Sequence, residues 1–232
     1  CGSAEIPMVI VNSQRAGPST GMPTKIEQGD LGMMISGGNG DFPRIVLSPG
    51  DASECFEIGA LATNLAQIAQ CPVFIALDRA LSQDSMTVPV FDLDSVEMNT
   101  GKMLSATEVA ELDEYKRYSV TEDGISPWAV PGTPGGMSLV TGNERNEWGQ
   151  VSAEPGNRVT MMDKRARKLG TIKPLLPRAV SYGDTSSKIG IIGVGVAAGI
   201  ISETYRLLEN DGVRLKVHRP RVLFPMLDET LD

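Results

Sequence analysis

Ile58, Leu61, Leu65 and Ile68 recur at helical spacing between two short apolar runs at residues 44–47 and 72–77. A third apolar run, residues 8–12, stands earlier in the chain. Each run is too short for a helix and has the length of a buried strand. Strands separated by helices predict a parallel α/β sheet. The helix is expected to run from Asp51 to Gln70, after a Ser48-Pro49-Gly50-Asp51 turn whose aspartate caps it. Residues 26–36 predict a shorter helix, ended by Gly37 and Gly38. Right-handed crossovers place the loops after the strands along one edge of such a sheet. Ligands bind there, at the carboxyl ends of the strands.

The segment after the first strand is the richest in chemistry. Between Ser13 and Thr24 lie one cation, Arg15, and four hydroxyls: Ser13, Ser19, Thr20 and Thr24. Gly17, Pro18, Gly21 and Pro23 shape the same loop. A guanidinium offers a planar fork of donors that matches a carboxylate or phosphate, and the hydroxyls add donors beside it. Prolines lower the entropy lost on ordering the loop. The segment reads as a small-anion site; the plain alternative is a tight surface loop with its arginine packed on a helix end.

Residues 87–187 are poorly periodic and rich in glycine and proline, a long connecting excursion rather than a second core. A helix is expected over residues 157–168, with the basic run Lys164, Arg165, Arg167 and Lys168 as its solvated end. Then follow a strand at residues 188–194, a helix at 200–210 and a strand at 213–217. Gly193, Gly195 and Gly199 give the spacing G-x-G-x-x-x-G, not the dinucleotide fingerprint G-x-G-x-x-G. The strand after it ends in His218-Arg219-Pro220, without the acid that would bind a ribose, so a structural turn in a Rossmann-like unit is the better reading. A nicotinamide-dependent dehydrogenase is disfavoured for the same reason.

A net charge of −8 argues against binding a nucleic-acid backbone. The three cysteines, Cys1, Cys55 and Cys71, form no C-x-x-C pair, so no iron–sulfur or zinc site is expected in this chain, and their scatter suits a reducing compartment. No apolar run reaches membrane-spanning length, and the expected location is cytoplasmic. A strand within a few residues of the start, and a strand–helix–strand unit that stops abruptly, read as a fragment. His218 is the only histidine, so no serine–histidine or cysteine–histidine dyad exists elsewhere in the chain. Asp51 reads as a cap, while Glu144 and Glu147 flank a loop and could bridge to another chain. An anion loop without a nucleophile of its own places the chemistry in a cofactor or a partner subunit.

Arg15-Ala16-Gly17-Pro18-Ser19-Thr20-Gly21-Met22-Pro23-Thr24, followed by Glu27-Gln28-Gly29-Asp30-Leu31, resembles the alpha subunit of 2-oxoacid:ferredoxin oxidoreductases, the 2-oxoglutarate type above all. Further matches follow in order at residues 40–47, 49–56, 118–127, 141–149 and 157–165. Together they cover nearly the whole chain, and the Arg15 block and Gly124-Ile125-Ser126-Pro127 are the most specific. Departures are Ala16 for glycine, Asn39 and Arg145 for histidine, and Trp128 for arginine. Trp128 and Arg145 lie outside the Arg15 loop and bear on specificity and subunit contacts more than on reaction class.

The resemblance implies an α/β fold: a portion of a parallel-sheet, pyrimidine-type thiamine diphosphate-binding domain over residues 1–100, an irregular connection over 101–187, and the start of a Rossmann-like transketolase C-terminal-like domain over 188–232. It implies thiamine diphosphate with Mg shared with a beta subunit, which carries the iron–sulfur cluster; the family's activating glutamate precedes the matched region. The implied reaction is coenzyme A-dependent oxidative decarboxylation of a 2-oxoacid, with electrons passed to ferredoxin. Arg15 is expected to bind the substrate carboxylate and Thr24 to shape its pocket, with Ser19, Thr20 and Gly21 near substrate or cofactor. A non-catalytic assembly subunit of such a complex is the alternative.

Overall fold

The computed structural model describes residues 1–227. Residues 228–232, the end of the expected C-terminal unit, lie outside the described residues. The first part contains β1 (Met8–Gln14), α1 (Leu31–Ser36), β2 (Ile45–Leu47), α2 (Ala52–Ala69), β3 (Pro72–Asp78) and α3 (Arg79–Gln83). The middle holds β4 (Met103–Leu104), α4 (Ala106–Ala110), β5 (Trp128–Ala129) and α5 (Pro155–Ile172). Last come β6 (Val180–Gly183), β7 (Gly190–Ile192), α6 (Ala197–Asn210), β8 (Lys216–Arg219) and β9 (Val222–Phe224).

The main sheet has the order β1-β3-β2-β9. β1 and β2 both run parallel to β3, and β9 returns antiparallel to β2. Side chains alternate across a strand, and β3 is apolar on both faces. Val73 and Ile75 pack with Ile58, Ala62 and Leu65 of α2, whereas Phe74 and Ala76 pack with Met34 of α1. The sheet is thus covered on both sides, as parallel strands require. Asp51 caps α2 by accepting from the Glu54 N–H at 2.8 Å. At the other end Gln70 takes left-handed backbone angles, φ 49° and ψ 54°. Leu65 is 1% exposed in this core. Leu65→Ala is expected to cost about 2–5 kcal/mol, the range for emptying a buried aliphatic site; a denaturant midpoint within error of the parent protein would refute its placement.

Several sequence expectations shift. The helix predicted over 26–36 forms only as Leu31–Ser36. Gly29 interrupts the earlier residues, and Asp30 makes no side-chain cap. The helix predicted over 157–168 extends to Pro155–Ile172. β6, inside the expected irregular stretch, joins β8 and β7 in a second sheet of order β6-β8-β7. The final strand is displaced from 213–217 to Lys216–Arg219.

The basic run is the largest correction. It lies inside α5, not at a solvated end: Lys164 and Lys168 are fully buried and Arg165 nearly so. Lys164 Nζ donates to Glu5 Oε1 at 2.8 Å, and Lys168 Nζ lies 2.6 Å from Glu5 Oε2. Arg117 donates to the Glu5 carbonyl at 2.7 Å and to Gln70 Oε1 at 2.8 Å. Gln70 in turn donates to the Ser126 carbonyl at 2.6 Å. One buried network therefore pins the N-terminal segment, the end of α2, residues 117–126 and α5 together.

Glu144 and Glu147 are likewise engaged within the chain rather than left for another one. Arg165 grips Glu144 with two hydrogen bonds, 3.0 and 2.6 Å, and Arg158 adds a third. Burial pushes the Glu144 carboxyl up, but the hydrogen bonds from Arg165 and Arg158 outweigh it and bring it to about 2. Glu147 accepts from the Val120 N–H at 2.9 Å. Arg145 is fully buried, with its guanidinium on the Tyr118 hydroxyl at 2.9 Å and the Asn143 carbonyl at 3.1 Å. It secures a loop of its own chain.

Candidate functional site

β1 changes character along its length. Its amino end carries Met8, Val9, Ile10 and Val11, and its carboxyl end Asn12, Ser13 and Gln14. A polar end on an apolar strand places side-chain donors and acceptors at the sheet edge where parallel α/β proteins bind ligands. β3 runs alongside in register, pairing Asn12 with Ala76, Ser13 with Leu77 and Gln14 with Asp78.

The chain then turns through the Arg15 loop. Ala16 and Met22 form an isolated antiparallel bridge, with the Met22 N–H on the Ala16 carbonyl at 3.2 Å. The bridge closes residues 17–21 into a compact tip. Ser19 and Thr20 adopt positive φ, 49° and 53°. Each such conformation costs about 1 kcal/mol or more for a residue with a Cβ, and strain of this kind concentrates at functional sites. Gly21 relieves the crowding, since a Cβ there would lie 3.2 Å from the Pro18 carbonyl oxygen.

A cleft of about 840 Å³ opens between this loop and the segment leading into α1. It is lined by Asn12, Ser13 and Arg15, by Ser19 and Thr20 of the tip, and by Glu27 and Asp30 opposite. The predicted Arg15, Ser19 and Thr20 thus share one cavity. Gly21 and Thr24 do not line it; both are exposed on the return limb. Asn12, Glu27 and Asp30 were missed by sequence reasoning. The signal for Asn12 was the polar end of β1; for Glu27 and Asp30 it was their place in the motif that follows the Arg15 loop, to which no role had been given.

The side-chain chemistry of the cleft is unfinished. Arg15 is half-buried, and its guanidinium has no ion-pair or hydrogen-bond partner among the described residues. Asn12 Nδ2 and Ser13 Oγ are buried without partners. An unmet buried polar atom costs about 1–3 kcal/mol. The Arg15 guanidinium and the Ser19 and Thr20 hydroxyls, all lining the cleft, suit a small acid with a carbonyl oxygen.

Other reactive groups are unsuited to nucleophilic work. Burial pushes the Cys71 thiol up to about 12, and burial with nearby Asp51 and Glu54 raises that of Cys55. His218 Nδ1 lies 2.8 Å from Ser181 Oγ, across the β6–β8 pair and away from the cleft. Among the described residues no group of three or more His, Cys, Asp or Glu could hold a metal ion. None of the described helices is long and apolar enough to cross a membrane.

Comparison with known proteins gives a consistent result. The family profile described as pyruvate flavodoxin/ferredoxin oxidoreductase, thiamine diphosphate-binding, matches residues 1–161. The chain is 38% identical over 229 residues to the 2-oxoacid:ferredoxin oxidoreductase subunit alpha of Saccharolobus solfataricus, covering 97% of this chain and 35% of that one. It is 31% identical over 224 residues to the 2-oxoglutarate oxidoreductase subunit KorA of Mycobacterium tuberculosis, covering 95% and 33%. Among solved structures it is similar to the 2-oxoglutarate:ferredoxin oxidoreductase from Magnetococcus marinus with 2-oxoglutarate, coenzyme A and succinyl-CoA bound. There the TM-score is 0.92 at 35% identity, over 99% of this chain and 40% of that one. The chain thus spans about a third of the length of these curated relatives.

Proposed function

Because the chain belongs to the pyruvate flavodoxin/ferredoxin oxidoreductase family, we propose that it is part of the alpha subunit of a thiamine diphosphate-dependent 2-oxoacid:ferredoxin oxidoreductase. The enzyme works in the cytoplasm and converts a 2-oxoacid and coenzyme A to acyl-CoA and carbon dioxide, passing two electrons to ferredoxin. 2-Oxoglutarate is the favoured substrate, supported by the ligands named for the Magnetococcus marinus structure. Residues 1–100 serve as the pyrimidine-type part, 101–187 as the connection and 188–232 as the start of the C-terminal unit.

The observation that carries this reading is the unpaired Arg15 guanidinium over a cleft in which Asn12 Nδ2 and Ser13 Oγ also lack partners. These residues fit both a cofactor and a small acid. Asn12 and Ser13, at the strand end, would hold the cofactor's polar ring, while Arg15, Ser19 and Thr20 face the substrate. Thiamine diphosphate supplies the nucleophilic carbon and the electron sink that decarboxylation next to a carbonyl requires. Mg, the diphosphate grip and the iron–sulfur cluster are assigned to a beta subunit.

The chain's own contribution is positioning. Arg15 holds the substrate carboxylate bidentately, fixing the bond that must break relative to the carbonyl. Ser19 and Thr20 donate hydrogen bonds toward the 2-oxo oxygen. Their backbone is already fixed in the left-handed region, so little is lost in ordering the tip when substrate arrives. Thr24 and Gly21, on the return limb, set the loop's shape from behind.

The test is reconstitution of the full-length alpha subunit with its beta partner. Reduction of ferredoxin is expected to require a 2-oxoacid, coenzyme A and thiamine diphosphate together, with 2-oxoglutarate giving the highest kcat/KM among pyruvate, 2-oxobutyrate and 2-oxoglutarate. A complex that assembles and binds thiamine diphosphate but reduces ferredoxin with none of them would favour an assembly role and overturn the catalytic one.

A further inference from the structure

Asp78 ends β3 on the same edge as the cleft and is 4% exposed. Its two carboxylate oxygens have different partners. Oδ1 accepts from the Leu81 N–H at 3.0 Å and caps α3. Oδ2 accepts from the Val196 N–H at 2.7 Å, a bond that spans 118 residues of sequence. No cation pairs with this carboxylate among the described residues. Backbone N–H groups alone meet its charge.

Val196 sits in the glycine turn that enters α6. That turn occupies the place where a Rossmann-like unit receives a phosphate at a helix N-terminus. Gly195 has φ +61°, and a Cβ on it would lie 2.7 Å from Asp78 Oδ2. Gly193 is close-packed against the helix, since a Cβ on it would meet the Ile201 Cδ1 side-chain tip at 2.1 Å. The glycines are therefore spaced to admit a carboxylate from the neighbouring sheet and to seat α6.

We infer that Asp78 is an internal ligand of the Gly193–Gly199 turn, a clasp that fixes the C-terminal unit to the cleft edge and so positions Arg15. The path to Arg15 is short. Asp78 pairs in register with Gln14, the residue before Arg15, and Gln14 Nε2 donates to the Leu77 carbonyl at 3.4 Å. A second tie, Arg219 on Glu54 at 2.8 and 2.6 Å, joins the same unit to α2. With that tie in place, losing the Asp78 bond frees the turn without releasing the unit. The link to Arg15 as substrate ligand rests on the proposed function; the clasp itself does not.

The test uses the assembled complex with Asp78→Asn and Gly195→Ala. In Asp78→Asn an NH2 donor replaces one of the two oxygens, so the N–H of either Leu81 or Val196 then faces a donor. Gly195→Ala keeps the Asp78 carboxylate in the chain and crowds its Oδ2 away from the Val196 N–H. A lost hydrogen bond to a charged group corresponds to about tenfold or more in an opening equilibrium. Both variants are expected to speed amide exchange at residues 194–198 by about that factor. They are also expected to raise KM for the 2-oxoacid several-fold more than they lower kcat. Unchanged exchange in both variants overturns the clasp. Faster exchange with an unchanged KM overturns the positioning of Arg15. If the parent complex oxidises no 2-oxoacid, the functional reading fails, and the exchange result still decides the clasp.

Discussion

Arg15→Ala in the assembled complex is expected to lower kcat/KM for the 2-oxoacid by roughly two to three orders of magnitude. Truncating one partner of a desolvated, hydrogen-bonded charge pair costs about 2–5 kcal/mol, and each 1.4 kcal/mol is a factor of about ten. The loss is expected in kcat as well as KM. A carboxylate that has lost both guanidinium bonds samples orientations in which the bond to be broken is misaligned. Arg15→Lys should restore only a small part, because an ammonium keeps the charge but not the planar fork. Assembly should not change, since the Arg15 guanidinium makes no hydrogen bond or ion pair with any described residue. Steady-state kinetics of the two variants, with gel filtration beside them, make the measurement. A kcat/KM for Arg15→Ala within twofold of the parent would remove Arg15 from the substrate site.

The second large effect is one of stability. Glu5→Gln leaves Lys164 and Lys168 buried without a counter-ion, and breaking a buried pair in this way costs about 3–5 kcal/mol. For a chain of this size about 2–4 °C of Tm accompanies each kcal/mol, so a fall of roughly 6–20 °C is expected. Lys168→Met should cost much less, because the Lys164–Glu5 pair survives and one surplus cation is gone. An unchanged Tm for Glu5→Gln would refute this account of the network.

Both Glu5 and Lys164 titrate below their ordinary values, for different reasons. Burial raises the Glu5 carboxyl, but the Lys168 and Lys164 ammonium groups outweigh it and hold it below its ordinary 4.5. Its stabilising contribution is therefore complete above pH 4.5 and lost as pH falls through the folded value. Burial lowers Lys164 from 10.5 to about 8, with Glu5 offsetting only part, because one carboxylate serves two lysines with Arg117 close by. Between pH 8 and 10.5 the folded chain holds fewer protons at Lys164 than the unfolded one, so this contribution to stability rises with pH across that window. Thermal melts of the parent and Glu5→Gln across both ranges should show the acid-side slope shrink in the variant.

Much of the main sheet was legible from residue order. The α2 face, its Asp51 cap and the strand at residues 72–77 are local patterns: spacing, capping chemistry and run length. The Arg15 loop was legible for the same reason, since a cation, hydroxyls, glycines and prolines stand together after a strand. The resemblance added an identity for the loop's ligand and a reason for a site without its own nucleophile. The helix expected over 26–36 forms only from Leu31, after Gly29, whose backbone freedom disfavours a helix interior.

Features set by neighbours within a few residues are written in residue order: the runs at 8–12, 44–47 and 72–77 that form strands, the start of α2, and the guanidinium after β1. Where charges come to rest depends on packing between distant segments. Lys164 and Glu5 are 159 residues apart, and Asp78 and Val196 118 apart. Nothing within a helical turn of Lys164 or Lys168 distinguishes a buried ammonium from a solvated one. The difference lies in a carboxylate brought over from the N-terminal segment. The same holds for the cleft: Arg15 is a local fact, but its lack of a partner, and the presence of Asn12, Ser13, Glu27 and Asp30 around it, exist only once the chain has folded back on β1. Burial and pairing are properties of packed space, and spacing along the chain carries no record of them.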